Sequence, residues 1–180
     1  MCDTLRRAGH RVVMASCEGT LEVECSRGVR IRADALLDAE VASEAFDAIL
    51  LPGGMPGAER LRDCPTLVEM LKQQRTSGKL YGAICASPAV VLKEHGLLDG
   101  VGMATCHPGF MGGLVESSEA RVVLGGNCIT SRGPGTTFEF ALACIAVLTG
   151  QKSKVEEVAN PMVLPSNFSA DLVALKLGVA

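Results

Sequence analysis

Two short apolar runs constrain the fold most. Ala48-Ile49-Leu50-Leu51 and Leu80-Tyr81-Gly82-Ala83-Ile84 are continuous rather than alternating, and each stops at small or turn-forming residues. Such runs suit strands buried on both faces. Between them, residues 65–75 read as a helix with Leu67, Met70 and Leu71 on one side. Pro88 to Glu94 reads as a second helix, stopped near Gly96, and Thr136 to Leu148 as a long apolar one ending at Gly150. Strand and helix alternate, with no repeat and no long linker. That pattern predicts one α/β domain around a largely parallel sheet. A last amphipathic helix is expected over 169–177.

The remaining elements fill in this plan. Residues 4–8 read as the end of a helix stopped by Gly9, and His10 to Ser16 as a strand. Leu21 to Cys25 and Val29 to Ile31 alternate around Gly28 as a hairpin would. Ala33 to Ala45 is expected to be partly helical. Gly102 to Thr105 and Arg121 to Leu124 read as strands, and Cys128 to Thr130 completes a hairpin across Gly125-Gly126. A doubly wound sheet normally opens with a strand. Here eight residues precede Gly9, and as helix they span about 12 Å, which leaves none for a strand. The chain is therefore expected to be N-terminally truncated.

Composition narrows the function. With 180 residues, 48% hydrophobic and 21% charged, the chain is long and apolar enough to bury a core. A net charge of −3, 3% aromatic residues and no Trp leave neither a basic surface nor stacking platforms, so no nucleic-acid partner is expected. No apolar run reaches the ~18 residues of a membrane span, and residues 1–7 carry no secretory pattern. A cytoplasmic location is the default. The eight cysteines include no C-x-x-C pair, which argues against a zinc site, and no metal is expected. Most read as small buried hydrophobes.

Ligands of open α/β sheets collect beyond the C-terminal strand ends. Gly82 to Pro88 runs from a buried strand through small residues into a helix, the layout of a nucleophile elbow with Cys85 at its tip. The helix start places the sulfur in a positive field, which favours thiolate. The competing reading is a buried cysteine in a tight turn. Leu51-Pro52-Gly53-Gly54-Met55 offers bare backbone N–H groups that fit either an oxyanion site or an ordinary Gly-rich turn. His107, after another strand, fits a proton carrier or a capping histidine equally well. His10 and His95 lie beside helix ends and read as structural. Arg132 suits an anionic substrate group, a solvated loop charge or a bridge to a carboxylate.

Together, Leu5-Arg6-Arg7-Ala8-Gly9, Cys25-Ser26-Arg27, Leu51-Pro52-Gly53-Gly54, Ala83-Ile84-Cys85-Ala86-Ser87-Pro88, His107-Pro108 and residues 129–142 resemble the ThiJ/PfpI superfamily. The likeness is to the branch of the Parkinsonism-linked protein DJ-one and runs from residue 3 to about 164, which implies a single domain over residues 1–164 with residues 165–180 as a C-terminal extension past the family's usual end. It implies a flavodoxin-like three-layer α/β/α sandwich, a homodimer, and cofactor-free conversion of methylglyoxal, glyoxal or early glycation adducts. It also implies protection under oxidative stress. By motif match, Cys85 is the nucleophile, with His107 nearby. Gly54 and Ala86, with Gly53 beside them, supply the oxyanion site; Arg132, Gly133 and Pro134 line the pocket. Ala86 stands where the peptidase and amidotransferase branches have His, which points away from those activities. The resemblance also implies a strand ahead of the first helix and a glutamate that shares the cysteine's proton. About 20 upstream residues are expected to encode them. Glu18 and Glu22 are not expected to substitute. A redox-sensing, chaperone-like dimer and an inactive truncated copy are the alternative readings.

Overall fold

The computed structural model describes residues 1–165 and Phe168. In chain order its helices are α1 (Cys2–Arg7), α2 (Ala39–Ser43), α3 (Gly57–Arg62), α4 (Pro65–Ser77), α5 (Thr137–Thr149) and α6 (Lys152–Ala159). Its strands are β1 (Ala15–Ser16), β2 (Glu22–Glu24), β3 (Arg30–Arg32), β4 (Ala35–Leu36), β5 (Ala48–Leu51), β6 (Leu80–Ile84), β7 (Val122–Gly125) and β8 (Cys128–Ser131). Of the expected C-terminal extension and its helix, only Pro165 and Phe168 lie within the described residues.

The main sheet has the order β5-β6-β8-β7. Its first three strands are parallel, and β7 returns antiparallel to β8 as the expected hairpin. Side chains along β6 alternate between two cores, as the twofold repeat of a strand demands. Leu80 and Ile84 join Leu5, Phe140, Ile145 and Val155 on one face. Tyr81 and Ala83 join Leu67, Leu71, Val91 and Leu97 on the other. Helices thus cover both faces, and the architecture is the expected flavodoxin-like α/β/α sandwich.

Buried polar groups find partners that fix the layers. The Tyr81 hydroxyl donates to Leu97 O at 2.6 Å. The Asn127 amide donates to Gln74 O, Arg75 O and Lys79 O at 3.1, 3.3 and 2.7 Å. It thereby ties the β7–β8 hairpin to the C-terminal end of α4, whose last carbonyls have no partner within the helix.

The first third departs from expectation. Of the strand expected over His10–Ser16, only Ala15 and Ser16 form one, and they pair in parallel with Ala35 and Leu36 of β4 rather than with the main sheet. Side chains satisfy the preceding backbone instead. Arg6 Nη2 donates to Val12 O at 3.0 Å, and the Asp34 carboxylate accepts from Met14 N at 2.9 Å. A strand needs a ladder to pair with, and backbone groups without one take side-chain partners. On its side away from β6, β5 has no strand partner among the described residues. The hairpin β2–β3 forms as expected, with Val23 opposite Ile31. The strand expected over Gly102–Thr105 reduces to one bridge, Ala104 to Ser117.

Candidate functional site

β6 delivers Cys85 to the C-terminal edge of the sheet. Cys85 has φ +68, a left-handed conformation that costs a residue with a side chain about 1–3 kcal/mol. Two hydrogen bonds hold it there: Cys85 N donates to Ser131 O at 3.0 Å, and Cys85 O accepts from His107 N at 2.8 Å. The helix expected after the elbow begins as a π-helical turn, Pro88–Lys93. Ser87, fully buried, donates through its hydroxyl to Pro52 O and so joins the elbow to the turn after β5.

That turn fits closely against the cysteine. A Cβ on Gly53 would lie 2.4 Å from Cys85 Cβ and 3.1 Å from its Sγ, so only glycine allows the approach. Gly54 follows at φ +97, which glycine adopts without strain. Among the described residues, neither the Gly54 nor the Ala86 N–H donates to a protein acceptor. The sulfur therefore sits beside Gly53, with two unengaged N–H groups on the flanking residues, and Cys85 is partly exposed.

His107 caps the short turn Pro108–Gly113: its Nδ1 accepts from Gly109 N at 3.1 Å. The neutral ring then carries its proton on Nε2. The capping reading thus holds, and the ring also borders the site. A Cβ on Gly133 would stand 3.6 Å from His107 Cδ2. Gly133 N donates to Thr136 Oγ1 at 3.1 Å, and Pro134 starts the exposed turn ahead of α5. Arg132 donates through Nη1 to Glu119 O at 3.0 Å rather than to a carboxylate, and its buried Nε has no protein partner. The structure therefore gathers Cys85, Gly53, Gly54, Ala86, His107 and Gly133 at the C-terminal ends of β5, β6 and β8. Arg132 and Pro134 border them.

The other cysteines contrast with Cys85. Burial, helped by the Cys85 charge, pushes the Cys106 thiol up to about 11, while the Arg132 guanidinium pulls the other way. Burial pushes Cys128 up to about 12 and Cys144 up as well. Burial and the neighbouring Cys64 push Cys17 up to about 12. These four stay protonated at neutral pH and are poor nucleophiles. Cys106 is a neighbour that sequence reasoning did not single out, although it directly precedes His107. Ser87 was also missed, although a hydroxyl two residues past the nucleophile was visible.

Among the described residues, no carboxylate is hydrogen-bonded to Cys85. Glu18 pairs with Arg60 at 2.6 Å and Glu22 with Arg32 at 3.9 Å, so both are engaged elsewhere. No cluster of metal-ligating side chains occurs among the described residues. Nor is any helix there long and apolar enough to cross a membrane. A shallow groove of about 410 Å³ beside Ala89, Val90 and Phe110 contains none of the expected site residues.

An α/β sandwich with a cysteine at a strained strand-to-helix elbow defines the class. The model of the DJ-1/PfpI family matches residues 1–147, and the chain belongs to that family. It is 44% identical over 170 residues to Protein DJ-1 homolog B of Arabidopsis thaliana, covering 93% of this chain and 38% of that protein. The chain spans about two fifths of the length of the Arabidopsis relatives it matches. It is 40% identical over 166 residues to a Caenorhabditis elegans protein named glutathione-independent glyoxalase DJR-1.2, covering 90% of this chain and 86% of that one. Among solved structures, oxidized Toxoplasma gondii DJ-1 superposes with a TM-score of 0.86 at 47% identity, covering 90% of this chain and 88% of that one.

Proposed function

We propose that this protein is a cysteine-dependent, cofactor-free glyoxalase that converts methylglyoxal or glyoxal to the hydroxy acid without glutathione. The observation that carries the reading is Cys85 itself. It is held at φ +68 at the end of a central strand, with its sulfur beside Gly53 and the unengaged N–H groups of Gly54 and Ala86 on the residues next to it. The name of the Caenorhabditis elegans relative supports the choice of reaction.

In this reading the Cys85 thiolate adds to the aldehyde carbon, and the oxygen takes a proton to give a hemithioacetal. The Gly54 and Ala86 N–H groups stabilise the oxyanion as it forms. The C1 proton then moves to C2 through an enediol, giving a thioester of the 2-hydroxy acid. Water cleaves the thioester, releasing the hydroxy acid and the thiol. His107 presents Nε2–H as a proton donor. Arg132, Gly133 and Pro134 border the substrate. The working form is a homodimer in the cytosol. Eight free cysteines suit a reducing compartment, and the exposed apolar Val29, Ile31 and Phe138 suit self-association.

Incubating the purified chain with methylglyoxal in glutathione-free buffer tests the proposal, with lactate as the readout. Lactate above the protein-free rate is expected. None from a cooperatively folded chain overturns the enzyme reading. It would favour the second reading, a redox-responsive protective protein, for which the absence of a carboxylate on Cys85 among the described residues speaks. That role needs thiolate and access but no acid–base pair.

A further inference from the structure

Ser87 occupies the N-cap position of the π-helical turn Pro88–Lys93, yet its side chain caps nothing there. A serine at a helix start ordinarily accepts from the N–H groups of the first turn. The Ser87 hydroxyl instead donates out of its own segment, to Pro52 O. Ser87 is fully buried, so bulk water does not compete for the hydroxyl.

That bond falls where the sheet stops holding the two segments together. The β5–β6 ladder ends with Leu51 opposite Ala83. Pro52 has no N–H with which to extend it. Among the described residues, no other hydrogen bond crosses between residues 52–54 and residues 85–87. Each segment is otherwise anchored to a different neighbour. Gly54 O accepts from Ala58 N of α3 at 2.8 Å, and Ala86 O accepts from Val90 N of the π-helical turn at 2.9 Å. Packing limits how close the segments come, because Gly53 already lies against Cys85. The Ser87 bond limits how far apart they move.

We infer that Ser87 is a positioning residue: its hydroxyl sets the spacing between the Gly54 and Ala86 N–H groups, and so how strongly they hold a negative oxygen formed at Cys85. The inference rests on the assignment of those two N–H groups to the oxyanion site in the proposed reaction. Ala86 directly precedes Ser87, and Gly54 lies two residues beyond Pro52, so a shift at the Ser87–Pro52 bond reaches both donors. Such donors work by being held in advance at the place where the charge develops. The sulfur is held separately, through Ser131 O and His107 N on the Cys85 backbone. Losing the hydroxyl therefore weakens the hold on the oxyanion and leaves the nucleophile in place.

The test compares the full chain with Ser87→Ala, and with Cys85→Ala as background, using two reagents that differ in one respect. The Cys85 thiolate attacks p-nitrophenyl acetate at its carbonyl carbon. The C–S bond forms, the carbonyl oxygen takes the charge, and the C–O bond then breaks to release p-nitrophenolate. With iodoacetamide the C–S bond forms as the C–I bond breaks, and the charge leaves on iodide with no oxyanion. Cys85-dependent p-nitrophenolate release should fall roughly tenfold or more in Ser87→Ala, approaching the ~10²–10³-fold cost of losing an oxyanion donor outright. Alkylation of Cys85, read by peptide mass spectrometry, should stay within about twofold, because it depends on the thiolate alone. Ser87→Ala should still unfold cooperatively, with a midpoint lowered by no more than roughly 6 °C, since Pro52 is exposed and water can replace the hydroxyl at its carbonyl. Equal losses with both reagents, an unchanged acylation rate, a chain that no longer folds, or wild-type protein releasing no more p-nitrophenolate than Cys85→Ala would overturn the inference. Lactate formation is measured separately: wild-type protein that is acylated at Cys85 but makes no lactate overturns the glyoxalase reading and leaves the Ser87 assignment standing.

Discussion

Gly53→Ala tests the packing that positions the nucleophile. The added methyl would stand 2.4 Å from Cys85 Cβ and 2.8 Å from Ile84 O. Carbon atoms in good contact sit about 3.5–4.0 Å apart, so the overlap exceeds about 1 Å. Neither side yields easily. Cys85 is held by Ser131 O and His107 N, and the turn after β5 is held by the Ser87 hydroxyl. Overpacking of this kind costs about 1–3 kcal/mol, a sizeable part of a typical ~5–15 kcal/mol stability. For a chain of this length, that lowers the thermal midpoint by roughly 2–12 °C. A displacement of about 1 Å at the sulfur can cost about 10²-fold in turnover, so activity should fall further than stability alone explains. Urea unfolding and lactate formation read the two effects separately. Gly133→Ala is the control for the unfolding measurement alone, since its methyl would meet His107 Cδ2 at an ordinary 3.6 Å. Gly53→Ala with stability within about 0.5 kcal/mol of wild type and full turnover would refute the packing argument.

Three further outcomes follow from the same geometry. Under mild peroxide, Cys85 should take up two oxygens before Cys106, Cys128 or Cys144, whose thiols burial keeps protonated until pH approaches 11 or above; peptide mass spectrometry showing one of those three oxidised while Cys85 stays intact would contradict this. His107→Ala should lower kcat by about 10²-fold or more yet leave measurable turnover, because it removes a proton donor and not the nucleophile; steady-state kinetics giving wild-type kcat would remove His107 from the reaction. Asn127→Ala should cost about 1–3 kcal/mol, because it strips the shared donor from three carbonyls, while leaving turnover per folded molecule unchanged; urea unfolding beside lactate formation checks both.

Much of this architecture was legible in the residues. The runs at Ala48–Leu51 and Leu80–Ile84 read as strands buried on both faces; β6 is, whereas β5, at the edge of the four-stranded sheet, leaves Ala48, Ile49 and Leu50 partly exposed, and the small residues after Ile84 marked the elbow. What the sequence could not carry was long-range pairing. His10–Ser16 has strand composition, but a strand exists only where a partner lies, and the partner there is Ala35–Leu36 of β4. β4 was hidden in a segment that also holds the short helix α2. α3 starts at Gly57 directly after Pro56, residues that locally signal a turn rather than a helix. α6 had a visible signal in Val155, Val158 and Ala159 at helical spacing, all buried on the core. At the site, Cys85 and the Gly53-Gly54 turn stood out because strained turns demand particular residues. The Cys106 neighbour arises from tertiary packing, which no local pattern encodes.

The central claim is that the Cys85 sulfur carries the chemistry. Lactate formation from methylglyoxal without glutathione, compared between the wild-type chain and Cys85→Ser, tests it most directly, with unfolding curves confirming that both chains fold. A serine hydroxyl is far harder to ionise, and no described side chain activates it, so Cys85→Ser should fall to the protein-free rate. Wild-type turnover in a folded Cys85→Ser chain would contradict the account.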